Sequence, residues 1–130
     1  MGEKKTILCV DDDEQLRGFY SCVLGNNYNV MTADGGLAAL ALLDTAKPDL
    51  LISDCQMPGM NGFELVGKAR LQYPDLDCIM ASGTWESENQ SPDLAHALGV
   101  KECLTKPFSP SALRTTVQKY LAPVFPATLL

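Results

Sequence analysis

Thr6-Ile-Leu-Cys-Val-Asp-Asp-Asp13 decides how the rest of the chain is read. A short, mostly apolar run meets three carboxylates without a break. A run of that length and composition, bounded so abruptly, reads as a buried strand. The same form returns at Leu50-Leu-Ile-Ser-Asp54, again ending in acid, and at Cys78-Ile-Met-Ala-Ser82. A weaker run, Tyr28 to Ala33, carries Val30 and Thr32, and a short fifth, Glu102-Cys-Leu-Thr105, lies near the C-terminus.

Helical spacing fills the intervals. Leu16, Phe19, Tyr20, Val23 and Leu24 recur at i, i+3, i+4, i+7 and i+8, and Gly25-Asn26-Asn27 stops that helix. Leu37 to Ala46 is rich in Leu and Ala and ends before Pro48. Asn61 with Glu64 three residues on has the form of a capping box for a helix running to about Tyr73. Ser91-Pro92 and Ser109-Pro110 each set a capping serine before a proline at the first helical position. Strand and helix alternate five times, with no internal repeat. Apolar strands joined by crossover helices predict a parallel sheet covered on both faces, a doubly wound α/β domain of five strands and five helices. The order 2-1-3-4-5 is the common five-stranded form, though the pattern alone does not select it.

Composition agrees with one folded domain. In 130 residues, 46% are hydrophobic and 20% charged, a globular balance that excludes a disordered chain. The longest strictly apolar run, Leu37 to Leu43, is far short of the roughly 18 residues of a membrane-spanning helix. Met-Gly-Glu-Lys-Lys followed by a run that breaks at three aspartates is not a secretory signal. A net charge of −6 argues against direct nucleic-acid binding. Cys9, Cys22, Cys55, Cys78 and Cys103 form no C-x-x-C pair, and His96 is the single histidine, so a zinc site of ordinary spacing is not expected. A reduced, cytoplasmic protein is the plain reading.

Ligands of open parallel sheets bind beyond the carboxyl ends of the strands, where the strand order reverses. Those ends carry Asp11, Asp12 and Asp13 after the first strand, Asp54 after the third, Ser82 after the fourth and Lys106 after the fifth. Gathered carboxylates repel and need a cation. A small all-oxygen ligand set suits Mg²⁺, which keeps waters and shares substrate phosphates. A carboxylate can attack phosphorus to give an aspartyl phosphate, with metal, lysine and hydroxyl stabilising the transferring oxygens. Taken singly, each residue has an ordinary structural role: a turn or cap aspartate, a turn serine, a surface lysine. Their coincidence at one sheet edge gives the pattern its weight.

Val10-Asp11-Asp12, Asp54-Cys-Gln-Met-Pro58-Gly-Met60-Asn-Gly62, Ala81-Ser82-Gly83 and Leu104-Thr105-Lys106-Pro107-Phe108 resemble the receiver domain of two-component response regulators. The likeness runs from about Thr6 to Leu121 and implies the flavodoxin-like order 2-1-3-4-5. It implies that Asp54 accepts a phosphoryl group from a histidine kinase or phosphotransfer domain. It implies Mg²⁺ bound by Asp12, Asp54 and the Gln56 backbone carbonyl, with Asp11 acting mostly through water. Lys106 would pair with phosphoryl oxygens, the Ser82 hydroxyl would report the phosphate, and the Lys106-Pro107 bond would be cis. The fourth helix, fifth strand and fifth helix would carry the change to an output domain or partner, with a homodimer on activation as one form.

Four positions depart from the family. Cys103 stands where an aromatic residue is usual, which predicts a smaller population shift at the Ser82–Cys103 switch. Gln56 and Thr84 flank the approach to the phosphate, and Asp13 is an extra acid beside the usual pair. Residues 1–121 read as the receiver and 122–130 as a Pro-containing tail or the start of a linker. Two other classes compete. A haloacid-dehalogenase-type phosphohydrolase would use Asp11 as nucleophile in Asp11-x-Asp13, but Gln15 replaces the usual Thr or Val and Asp54 to Gly62 has no role. A flavodoxin-like flavin binder would need a Ser/Thr-rich phosphate loop where this chain has carboxylates.

Overall fold

All five apolar runs form strands, and a helix follows each. The structure, a computed structural model, describes residues 3–85 and 91–125. In chain order these are β1 (Thr6–Val10), α1 (Glu14–Leu24), β2 (Asn29–Ala33), α2 (Gly36–Ala46) and β3 (Leu50–Asp54), then α3 (Gly62–Gln72), β4 (Asp77–Ser82), α4 (Pro92–Ala97), β5 (Glu102–Thr105) and α5 (Pro110–Gln118). The sheet is parallel throughout, in the order β2-β1-β3-β4-β5.

The continuous apolar character of the strands follows from burial on both faces. Leu8 and Val10 point into a cluster with Ala39 and Leu43 of α2, Leu65 and Val66 of α3, and Ala95 of α4. Ile7 and Cys9 point the other way, among Tyr20, Val23 and Leu24 of α1 and Leu113 and Val117 of α5. Trimming one of these large side chains to alanine costs about 2–5 kcal/mol, a sizeable share of the whole stability of such a domain.

Local signals set the helix starts. The Asp13 carboxylate caps α1 by accepting from Gln15 N–H at 2.9 Å. Asn61 and Glu64 make the reciprocal capping box of α3, and Ser91 and Ser109 cap α4 and α5, each with proline following. Residue 28 lies outside β2, contrary to its placement in the strand by sequence. The Tyr28 N–H closes the end of α1 on the Leu24 carbonyl at 3.0 Å, and its hydroxyl donates to the Leu121 carbonyl at 2.9 Å.

The register places the strand ends side by side. Val10 lies opposite Ser53, Asp54 opposite Ala81, and Ser82 opposite Thr105. β1 stands between β2 and β3, so the winding reverses there and the crevice opens beyond Val10 and Asp54. Past α5 the chain returns to the body: Val124 N–H donates to the Asn27 carbonyl at 3.2 Å and Asn27 Nδ2 donates back to the Val124 carbonyl at 3.3 Å. Residues 126–130 of the sequence-defined tail lie outside the described residues. Among the described residues, no helix is long and apolar enough to cross a membrane.

Candidate functional site

Asp54 is the last residue of β3, and the chain must turn at once to begin α3. Gly62 makes that return possible. A Cβ there would fall 2.0 Å from the Asp54 carbonyl oxygen, so only glycine lets the start of α3 pass this close. Gly62 N–H also donates to the Cys55 carbonyl at 3.0 Å. Gly59, with φ of +77°, takes the left-handed turn in the loop between. The Asp54-to-Gly62 stretch is thus a tight cradle that fixes the carboxylate at the crevice.

Asp11, Asp12 and Asp54 each present a carboxylate oxygen within 4.8 Å of the others. Their environments differ. Asp11 is wholly buried, Asp54 is buried with 7% exposure, and Asp12 faces solvent. Asp13 N–H donates to Asp11 Oδ1 at 2.9 Å, and Arg17 Nη1 donates to the Asp11 carbonyl at 2.7 Å. Asp13 itself is not part of the acid cluster; its carboxylate is spent on the α1 cap.

Lys106 enters from the turn after β5. Its Nζ lies 2.9 Å from Asp11 Oδ2 and 3.0 Å from Asp54 Oδ1. Burial pulls the lysine toward neutrality, but hydrogen bonds and charge from the two carboxylates outweigh it and hold the ammonium above its ordinary pKa. Burial lifts the Asp54 carboxyl above its ordinary value; Lys106 works against that rise, and the neighbouring Asp11 charge adds to it. The Lys106-Pro107 peptide is cis, as the resemblance implies.

Ser82 ends β4 with 3% exposure, and its Oγ accepts the Thr84 N–H at 3.0 Å. Cys103, half-buried on β5, packs against the α2–α3–α4 side of the core, and burial pushes its thiol up. A polar cleft of about 500 Å³ is lined by Asp12, Gln56, Met57, Pro58, Gly59 and Asn61. A second cleft of about 510 Å³, floored by Leu16, Phe19 and Phe108, adjoins Lys106 on the other side.

The donor set fits a hard divalent cation. Three carboxylates converge with one lysine, and an all-oxygen set of few protein ligands is what Mg²⁺ accepts. The wholly buried Asp11, tied to Lys106 and the Asp13 N–H, is badly presented as the nucleophile of a hydrolase.

Sequence reasoning brought Asp11, Asp12, Asp54, Ser82 and Lys106 to one edge, where they are. It missed Arg17, which reaches back to the Asp11 main chain, and the tie from Trp85 to β5. Arg17 follows Asp11 by six residues on the opening turns of α1, a spacing that could have flagged it. His96 keeps a structural place, its Nδ1 3.0 Å from the Val100 carbonyl.

A parallel five-stranded α/β sheet with an acid pocket and a lysine at its switch point defines a flavodoxin-like domain built around a small anionic centre. Residues 7–118 match the response regulator receiver domain family, and the chain belongs to it. It is 36% identical over 116 residues to an uncharacterized 14.6 kDa protein of Leptolyngbya boryana, covering 88% of each. It is 34% identical over 118 residues to the alkaline phosphatase synthesis transcriptional regulatory protein PhoP of Bacillus subtilis, covering 90% of this chain but only 48% of that protein. Among solved structures, the chemotaxis response regulator CheY4 of Vibrio cholerae superposes with a TM-score of 0.83 at 35% identity, covering 92% of this chain and all of CheY4. The chain is therefore a receiver domain of two-component signalling.

Proposed function

We propose that Asp54 accepts a phosphoryl group from a phosphohistidine of a histidine kinase or phosphotransfer domain, and that the acyl phosphate switches the domain. An Asp54 carboxylate oxygen attacks phosphorus, the P–N bond breaks as the P–O bond forms, and its electron pair returns to the imidazole, which leaves neutral because its other ring nitrogen carries a proton. The observation that carries this reading is the Lys106 ammonium 3.0 Å from Asp54 Oδ1, a cation already placed beside the reacting oxygen. Lys106 would follow the charge onto the phosphoryl oxygens, and the Ser82 hydroxyl would donate to one of them.

Asp12, Asp54 and the Gln56 backbone carbonyl would hold Mg²⁺, with Asp11 acting mostly through water. When bound, the metal supplies positive charge to the phosphoryl oxygens. The α4–β5–α5 face would present the switched state to an output domain, a partner or a second copy of this chain. Residues 1–121 form the switching unit, and the segment from Ala122 is its tail or the start of a linker. Five free thiols suit work in the reducing cytoplasm.

Incubation with acetyl phosphate and Mg²⁺ tests the reading. Intact-mass measurement should show one added, base-labile phosphoryl group, lost in Asp54→Asn because an amide is a far poorer nucleophile. Phosphate retained by Asp54→Asn and lost in Asp11→Asn would transfer the assignment to a hydrolase-type nucleophile.

A further inference from the structure

Trp85, the single tryptophan of the chain, lies three residues beyond the Ser82 hydroxyl. Its indole Nε1 donates to the Leu104 carbonyl of β5 at 3.0 Å. The ring is half-buried against the same side of the core as Cys103, the residue before Leu104 on that strand. Cys103 has no ring of its own to fill this space, and an indole from the segment after β4 packs on the same cluster. One residue back, Thr84 N–H is held by Ser82 Oγ, also at 3.0 Å. Two hydrogen bonds one residue apart therefore tie this segment to two points. One is the hydroxyl at the phosphoacceptor crevice; the other is the backbone of β5.

We propose that Trp85 is a latch: its bond to Leu104 holds the segment after β4 against β5 in the resting state, and a phosphoryl group on Asp54 opens it. The inference rests on the phosphoacceptor reading of Asp54. A Ser82 side chain that turns to donate to a phosphoryl oxygen changes staggered well, which carries its oxygen about 2.5 Å from its former place. Thr84 N–H then loses its acceptor and follows or finds another. Each bond tolerates only about 0.5 Å of stretch before it leaves hydrogen-bonding range. Thr84 and Trp85 are adjacent, so a backbone that follows the Ser82 oxygen carries the base of the Trp85 side chain with it and draws the indole off the Leu104 carbonyl. The ring leaves its half-buried seat and meets solvent. By linkage, an anion that opens the latch binds more tightly once the latch is cut.

Beryllofluoride with Mg²⁺ serves as the probe on the full chain. Fluorine NMR reports its binding independently of Trp85, and acrylamide quenching reports the indole. In the wild type, bound beryllofluoride should at least double the quenching constant. Trp85→Phe keeps a ring but loses the donor, and should bind beryllofluoride about fivefold more tightly, the loss of one ordinary hydrogen bond. The quenching measurement needs no variant, so a poorly folded Trp85→Phe leaves that test intact. A bound fluorine signal with unchanged or reduced quenching overturns the latch and leaves the phosphoacceptor reading standing. Equal or weaker affinity in a folded Trp85→Phe does the same. No bound signal at all overturns the phosphoacceptor reading and the latch together.

Discussion

Lys106 and Asp11, 95 residues apart in sequence, meet at 2.9 Å behind the Asp54 carboxylate. The contact neutralises a carboxylate that has no solvent exposure at all, and it leaves the ammonium within reach of Asp54. One lysine thus pairs with two carboxylates from the ends of different strands. Desolvating Asp11 without that cation would cost several kilocalories.

Lys106→Met should therefore destabilise the domain at pH 7 by about 2–3 kcal/mol, somewhat less than a fully buried pair, since the ammonium keeps contact with water. Urea denaturation measures it. Millimolar Mg²⁺ should return part of the loss, because a second cation reaches the same carboxylates. Equal stability of variant and wild type would mean that the Lys106–Asp11 contact does not hold the fold.

The metal should bind weakly, on the order of millimolar, because few protein ligands replace its waters. At tenfold that concentration it should raise the melting temperature by about 4 °C. Asp12→Ala should remove the rise while leaving the metal-free melting temperature nearly unchanged, since Asp12 is exposed. A rise that survives in Asp12→Ala would place the metal elsewhere.

Tyr20 is fully buried, and among the described residues its hydroxyl is the buried side-chain polar atom without a hydrogen-bond partner. Burial first, then the charges of Cys9, Asp11 and Asp54, push its pKa up, so the phenol stays protonated. An unpaired buried hydroxyl is costly, and Tyr20→Phe keeps the ring packing against Phe19 and Phe108. The variant should be more stable by about 1 kcal/mol. A loss of stability in thermal or urea unfolding would show that the hydroxyl has a partner in solution.

Glu102 on β5 accepts from Lys119 Nζ at 2.8 Å and from the Tyr120 hydroxyl at 3.0 Å. The Lys119 hydrogen bond, against a smaller opposing effect of burial, lowers its carboxyl pKa. A lowered pKa gives stability that is present above the ordinary carboxylate value and is lost as pH falls through the lowered one. Lys119 is 53% exposed, so the contribution is small, about 0.5 kcal/mol. Glu102→Gln should cost that much at pH 7 and progressively less as the pH falls below the ordinary carboxylate value, read from urea midpoints across that range. A cost that does not fall with pH would assign the effect to packing.

Much of this molecule is written locally. The runs at Thr6–Val10 and Leu50–Asp54 are apolar without alternation because both of their faces are covered, and that feature alone points to a parallel sheet. The caps at Asp13, Asn61, Ser91 and Ser109 are decided within three residues, so short-range pattern finds them. Asp54, Ser82 and Lys106 could be named because each ends or follows a strand, and the carboxyl ends of parallel strands share one edge.

Contacts between distant segments are not written that way. That Asp11 is sealed while Asp12 faces water depends on Lys106 closing over one carboxylate and not the other, and nothing in three consecutive aspartates distinguishes them. The indole of Trp85 finds the Leu104 carbonyl only because β4 and β5 lie side by side. Sequence alone settled the alternation of strands and helices and the edge on which the polar residues gather, since backbone hydrogen bonding and side-chain periodicity act over a few residues. Tertiary structure decided which carboxylate is buried, which cation answers it and what packs over β5, because burial and pairing depend on chain that returns from far away.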